Sequence, residues 1–408
     1  MDSARTGAMQ GPTEAARAMR HRPGFAWLDS SLPGPDSVSI LACEPDAVLS
    51  GRDWGALENE LRRRKRGGFD LGFPDGAAIG WVDFDGWFHF GFYDKLHVYN
   101  HAREAWVGAV PEFFDEAPPG PVEPLRFETL MGKGGFVEMV RRAKEYVAAG
   151  DIYQVCLSRA FEADGAGDAW GFYEALRHYS PAPQSAFLDA GGLQIASASP
   201  ECFLKMSGRR IATRPIKGTR PRHADPQRDL LSAHELMTSP KEIAELVMIT
   251  DMERNDLGRV CEYGSIRVPE LLHLESYEQV FHLVSTVEGQ LRGGVGHADA
   301  LRACFPGGSI SGAPKKRALE IIRELEPVPR GIYTGAIGYF GYNGESRFSI
   351  AIRTVVFQNG TARFHSGAGI VADSCPEREW EETGHKAAGI LLAAQRPLQF
   401  PHPCTASS

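Results

Sequence analysis

Lys217 stands among arginines in the segment Arg214-Pro215-Ile216-Lys217-Gly218-Thr219-Arg220-Pro221-Arg222. An ammonium crowded by like charges has a depressed pKa, and a neutral lysine amine is a nucleophile. Gly218 lets the backbone come close to a ligand, and arginines suit carboxylates. Taken alone, the segment also reads as a basic turn on the surface.

Acids recur at helical spacing further on. Ser239-Pro240-Lys241-Glu242 is a capping box with proline at the first helical position, and predicts a helix over Pro240–Leu257. Glu242 and Glu245 share a face of it. Ser374-Cys375-Pro376-Glu377 has the same form and predicts a second helix, Pro376–Gln395, with Glu379 and Glu382 again three apart. Trp380, Ala387 and Leu391 make its apolar stripe and leave both glutamates off the core. These faces are either solvated or turned to a cleft. Carboxylates from two helices can hold one hard cation such as Mg²⁺. Spacing alone does not choose. Thr250–Arg259 is charge-dense, which suits a surface or an internal ion-pair network.

Two glycine-rich stretches precede helices: Cys304–Lys315 before a helix over Pro314–Leu325, and Ser366–Gly369 before the Pro376 helix. Exposed amides in such turns bind anions. Neither has the spacing of a P-loop or a dinucleotide fingerprint. His282 lies in an apolar strand, as a core histidine or as a catalyst. Glu201 lies between strand-like runs, where burial would raise its pKa and make it a general acid.

The elements that must position these residues are numerous and short. The chain has 408 residues, 43% of them hydrophobic and 24% charged, enough for a sizeable core. Its net charge of −8 argues against a nucleic-acid partner. Seven scattered cysteines without a CxxC pair suit a reducing compartment, and no signal peptide or membrane span is visible, so the cytoplasm is expected. Residues 1–24 read as a loose leader, and 399–408 as a tail. Residues 25–125 form a β-rich region, with strands at Ser37–Leu41, Ala78–Val82 and Trp87–Tyr93. Phe113–Leu125, with four prolines and three acids, closes it as a linker. Then come a helix over Gly134–Ala149 and strands at Ile152–Ala160, Ser185–Asp189, Leu193–Ser197, Phe203–Ser207 and Arg210–Arg214. Further strands fall at Phe281–Gln290, Thr334–Gly341, Arg347–Phe357 and Thr361–Val371, with a helix over Trp170–Ser180. Strands in antiparallel-looking clusters favour an α+β fold.

Together these segments resemble the chorismate-utilising enzymes over roughly Lys133–Ala394. The motifs are DIYQVCLS (Asp151–Ser158), SASPECF (Ser197–Phe203), PIKGT (Pro215–Thr219), HLVS (His282–Ser285), YTGAIG (Tyr333–Gly338), AIRT (Ala351–Thr354) and GAGIV (Gly367–Val371). Asp251–Arg259, Cys304–Lys315 and Pro376–Thr383 also match. The resemblance makes 126–398 a chorismate-binding catalytic region and implies two packed antiparallel sheets with helices outside. It implies Mg²⁺ held by Glu245 and Glu382, with Glu242 and Glu379 behind them. It implies chorismate against Gly218, Thr219, Tyr333, Arg353, Gly367, Ala368 and Gly369. Lys217 would be the covalent nucleophile, Glu201 the acid at the departing 4-hydroxyl, and His282 an active-site histidine. Lysine in PIKGT resembles the aminodeoxychorismate synthases, where anthranilate synthases have alanine. The implied reaction adds ammonia to chorismate for folate synthesis, with a glutamine amidotransferase subunit as partner. An anthranilate synthase with an atypical lysine is the alternative. Isochorismate-forming relatives need lysine where Gln154 stands. Leu41-Ala42-Cys43-Glu44 departs from the motif of tryptophan-regulated relatives, and Cys156 and His385 stand where many relatives have asparagine.

Overall fold

Short apolar runs broken by turn residues become two antiparallel sheets packed face to face, in an α+β fold. The computed structural model describes residues 11–34, 37–67, 71–112, 123–277, 280–396 and 398. The first sheet has eleven strands. From one edge it runs Gly312–Ala313, Gln154–Asp164, Thr361–Ile370, Thr354–Gln358, Leu193–Ser199, Gln184–Asp189, Ala26–Asp29, Val38–Ala42, His97–Asn100 and Ala105–Val107, with Glu128–Thr129 also paired to Gln154–Asp164. The second has ten. It runs Ile216–Pro221, Val280–Gln290, Arg210–Thr213, Cys202–Ser207, Glu345–Ile350, Ala336–Gly341, Ala77–Val82, Phe88–Tyr93 and Ala47–Gly51, with Arg267–Ser276 also on Val280–Gln290.

Strand alternation sorts the side chains into layers. In Gln184–Asp189, Ala186 and Leu188 enter the layer between the sheets, while Phe187 faces the outer layer. In Ala77–Val82, Ile79 and Trp81 face inward, and Ala78 and Val82 outward. Helices cover the outer faces. Ala169–Tyr179 and Pro376–Gln395 lie on the first sheet, and Trp54–Arg63 and His297–Cys304 on the second. Lys133–Ala148 and Lys315–Leu325 pack against the strands Gln154–Asp164 and Thr361–Ile370. Pro226–Thr238 and Pro240–Gly258 close over Val280–Gln290.

Three expectations need correction. The leader is not loose throughout: Pro12–Met19 is a helix that buries Ala15, Ala16 and Met19 on the first sheet. Its apolar face is only two alanines and a methionine, in a segment otherwise rich in small and polar residues. The expected strand Arg347–Phe357 is two strands in different sheets, Glu345–Ile350 and Thr354–Gln358. The chain crosses between them at Arg353, whose φ of 50° is uncommon for a residue with a side chain. The second capping box does not form. The residue capping Pro376–Gln395 is Cys375, without a side-chain bond, and Ser374 Oγ instead accepts from Val371 N at 3.1 Å. Of the first box only half forms: Ser239 Oγ accepts from Glu242 N at 3.5 Å, while the Glu242 carboxylate faces Arg220. Strands before residue 110 pair with strands beyond 180 in both sheets, as Ala26↔Leu188 and Ala336↔Val82 show. Most of the expected linker, 113–122, and the tail lie outside the described residues. No helix among those residues is long and apolar enough to cross a membrane.

Candidate active site

Lys217 sits on the edge strand Ile216–Pro221, whose register against Val280–Gln290 slips at Gly218: Lys217 faces Leu283 and Thr219 faces His282. Gly218 has φ +76°, and a Cβ there would lie 2.5 Å from Leu236 Cδ1 and 3.1 Å from Glu242 Oε2. The bulge therefore needs glycine for its backbone and for the helices packed on it. Gly218 is pressed by protein rather than left open.

The arginines around Lys217 do not crowd it. Arg214 pairs with Glu275 at 2.5 Å and Glu270 at 3.5 Å, Arg220 with Glu242 at 3.7 Å, and Arg222 with Asp229 at 2.9 Å. Lys217 Nζ instead lies 3.6 Å from Glu245 Oε2. The expected depression of its pKa is overturned. Burial pulls it down, but Cys156, Glu245, Glu201 and Glu382 outweigh burial and hold it above the usual lysine value. Burial keeps Cys156 a thiol, so the carboxylates carry the effect.

Glu201 is buried, and burial pushes it up to about 7 against the pull of Ser309, Lys217 and Lys386. Near neutrality it therefore holds a proton that it can donate. His282 is pushed down to about 4, chiefly by burial and then by Arg353, so it is neutral. Its Nδ1 bonds Thr219 Oγ1 at 2.9 Å. Burial lowers the Arg353 guanidinium, and among the described residues no acid pairs with it.

Gly367 and Gly369 present one face of Thr361–Ile370. A Cβ on Gly367 would lie 2.8 Å from Tyr333 Oη, and one on Gly369 would lie 2.5 Å from Gln154 Nε2 and 3.8 Å from Lys217 Nζ. Ala368 points to the opposite face, into the layer under Phe136 and Ile321, so only its backbone could meet a ligand. Tyr333 stacks on His365 at 5.2 Å between ring centroids.

The four glutamates expected around a metal divide by environment. Glu245 is mostly buried, 3.9 Å from Lys241, and its Oε1 has no hydrogen-bond partner. Glu379 is 3% exposed, with Oε2 also unpartnered. Its burial corrects the placement off the core and raises its pKa. Glu382 is 40% exposed and 2.7 Å from Lys386. Burial would raise it, but Lys386, Lys241 and Lys217 bring it below the usual carboxylate range. Glu242 faces Arg220. Among the described residues no three His, Cys, Asp or Glu groups are arranged to close a metal site by themselves. The unpartnered carboxylate oxygens of Glu245 and Glu379, on two different helices, nevertheless fit a hard cation that completes its shell with other oxygens.

Some residues of the site escaped the sequence reading. Lys386 bridges Glu382 and the Gly367 carbonyl, at 3.1 Å; its i, i+4 spacing from Glu382 was a usable signal. Arg330 and Glu326 form a buried pair at 2.7 Å. The pair anchors Ser158 N, the Cys156 carbonyl and Thr334 Oγ1 beneath the site. The charged run Thr250–Arg259 is in part an internal network, since Glu253 and Asp256 are buried and Lys315 pairs with Asp256 at 2.5 Å. A cleft of about 1080 Å³ opens at the far end of Val280–Gln290, past Arg62, Arg209 and His297. Three of its arginines are answered by acids: Arg62 by Glu58 at 3.5 Å, Arg66 by Asp94 at 3.0 Å, and Arg209 by Glu262.

The sequence is similar to characterised proteins along most of its length. Anthranilate synthase component 1 of Thermus thermophilus is 48% identical over 270 residues, covering 66% of this chain but only 58% of that protein. Aminodeoxychorismate synthase component 1 of Bacillus subtilis is 38% identical over 441 aligned positions, covering 95% of this chain and 91% of that protein. The crystal structure of anthranilate synthase component I from Streptococcus pneumoniae superposes with a TM-score of 0.77 at 29% identity, covering 96% of this chain and all of that one. The menaquinone-specific isochorismate synthase of Escherichia coli also scores 0.77, at 18% identity, and shares the fold. A family described as chorismate binding enzyme matches residues 77–392, and the chain belongs to it.

Proposed function

We propose that the protein aminates chorismate to 4-amino-4-deoxychorismate, using ammonia from a glutamine amidotransferase subunit, for p-aminobenzoate and folate synthesis. The observation that carries this is Lys217: a lysine amine in the site, beside Gly369 and within charge range of a protonatable Glu201. The Bacillus subtilis relative that spans nearly the whole chain is named for this reaction. Anthranilate formation is the alternative, favoured by the higher identity of the shorter match.

Two displacements at the ring explain the residues. The neutral Lys217 amine forms a bond to C2. The ring double bonds shift, the C4–oxygen bond breaks, and Glu201 gives its proton so that water leaves. Ammonia then bonds at C4, the double bonds shift back, and the C2–nitrogen bond breaks to free Lys217. The new amine stays on the carbon that lost the hydroxyl. Arg353, buried without an acid, suits the enolpyruvyl carboxylate, alongside the amides of Gly367–Gly369. Glu245 and Glu382 would hold Mg²⁺, with Glu242 and Glu379 behind them, and the ion would neutralise the ring carboxylate and oppose the pull of Glu245 on Lys217. The test is product analysis with chorismate, Mg²⁺ and ammonium. We expect 4-amino-4-deoxychorismate; anthranilate with pyruvate would overturn the proposal.

A further inference from the structure

The helix Pro240–Gly258 buries two acids against the loop that follows Cys304. Asp256 is answered by Lys315, whose Nζ also donates to the carbonyls of Cys304 at 3.0 Å and Pro306 at 2.6 Å. Glu253 has no such cation. It is 2% exposed, its Oε1 accepts from Gly308 N at 3.0 Å, and its Oε2 has no hydrogen-bond partner. A glutamine would satisfy the same amide without burying a charge, so packing alone does not account for an acid here. The turn that Glu253 holds, Gly308–Ile310, carries Ser309. The Ser309 hydroxyl lies against Glu201, and its carbonyl accepts from Cys156 Sγ at 3.4 Å.

We propose that Glu253 is a positioning residue for the reaction: it fixes the Gly308–Ile310 turn that sets Ser309 against Glu201, and its own ionisation is coupled to that of Glu201. This rests on the reading of Glu201 as the acid. Facing Glu253 are Asp256, Lys315, the Gly308 amide, Glu201 and the Cys304 thiol. Facing Glu201 are Ser309, Lys217 and Lys386. Burial first, then Asp256, raises Glu253 to about 7, the same range as Glu201. Two neighbouring carboxyls of similar affinity titrate as a pair, and the first to ionise hinders the second.

The test is a carboxyl NMR titration of the full-length protein labelled with ¹³Cδ-glutamate, with signals assigned by their loss in Glu201→Gln and Glu253→Gln. In Glu201→Gln the Glu253 midpoint should fall by about half a pH unit or more, because the Glu201 carboxylate is one of the charges that raise it. Glu253→Ala should lower kcat about tenfold and raise the Glu201 midpoint, because the turn that sets Ser309 against Glu201 loosens. The alkaline limb of kcat should move with that midpoint. An unchanged Glu253 midpoint in Glu201→Gln overturns the coupling, and an unmoved Glu201 midpoint in folded Glu253→Ala overturns the positioning. A Glu201 midpoint that moves while the rate limb stays leaves the positioning standing and overturns Glu201 as the acid. If Glu253→Ala does not fold, Glu201→Gln still decides: an unchanged Glu253 midpoint there overturns the proposal.

Discussion

Lys217 Nζ stands 3.6 Å from Glu245 Oε2, so the lysine expected to attack the ring is held by a carboxylate expected to bind the metal. The pair keeps the resting amine an ammonium, and the proposed reaction requires its proton to be lost first. We expect Lys217→Ala to lose most 4-amination while folding and binding chorismate, with trace anthranilate-type product from direct attack of ammonia at C2. Wild-type protein given chorismate without ammonia should gain a lysine-bound mass that Lys217→Ala lacks. A variant making 4-amino-4-deoxychorismate at the wild-type rate would end the nucleophile reading.

The same pair gives a prediction for the metal. Glu245→Gln and Glu382→Gln should each raise the Mg²⁺ concentration needed for half-maximal rate by about tenfold or more, with unchanged thermal unfolding. Glu245→Gln should also lower the Lys217 pKa, since it deletes one of the carboxylates that raise it. Mg²⁺ titration curves that overlay the wild type in both variants would return these side chains to ordinary helix faces.

The elements that carry the candidate site were legible where their local signals are strong. The Ser239 cap and the helix after it are examples, and so is the alternation that buries Ile195 and Ala186. What was lost depends on partners distant in sequence. The arginines beside Lys217 looked like a field on the lysine, but Glu270, Glu275 and Asp229 lie elsewhere in the chain and consume them. The break at Arg353 was hidden because a positive φ on arginine leaves no pattern in composition. Glu379 was placed off the core because helical periodicity marks the apolar face but not what packs on the polar one.

Gly218 offers a test of the bulge. Gly218→Ala combines a left-handed backbone, φ +76°, with a Cβ 2.5 Å from Leu236 Cδ1. The backbone alone costs about 1–2 kcal/mol, and the contact adds to it. Urea unfolding should show a loss of roughly 2 kcal/mol or more. Activity should fall further than stability explains, because the slip that sets Lys217 and Thr219 is disturbed. Wild-type stability would mean that the helix over Leu236 gives way freely.

The last prediction follows from the sign of the carboxyl shifts. Glu201 and Glu253 are both raised to about 7 by burial, above the ordinary glutamate value. The folded protein therefore binds protons that the unfolded chain has already released between about pH 4.5 and 7. Their contribution to stability is present at the acid end of that window and is lost as the pH rises through about 7. In the proposed reaction activity carries the same sign through Glu201, which would be protonated to release the hydroxyl as water. Lys217 runs the other way, since its raised pKa makes the neutral amine scarcer at low pH. The competent form, protonated Glu201 with neutral Lys217, is thus a minor species. We expect kcat/KM to show a limb near pH 7 set by Glu201, with its position unaffected by ammonium concentration at saturating free ammonia. In Glu201→Asp, whose shorter carboxyl meets Ser309 differently, that limb should move. A rate that shows no limb near 7 in wild type, with the carboxyl NMR titration still placing Glu201 there, would remove it from the proton transfer.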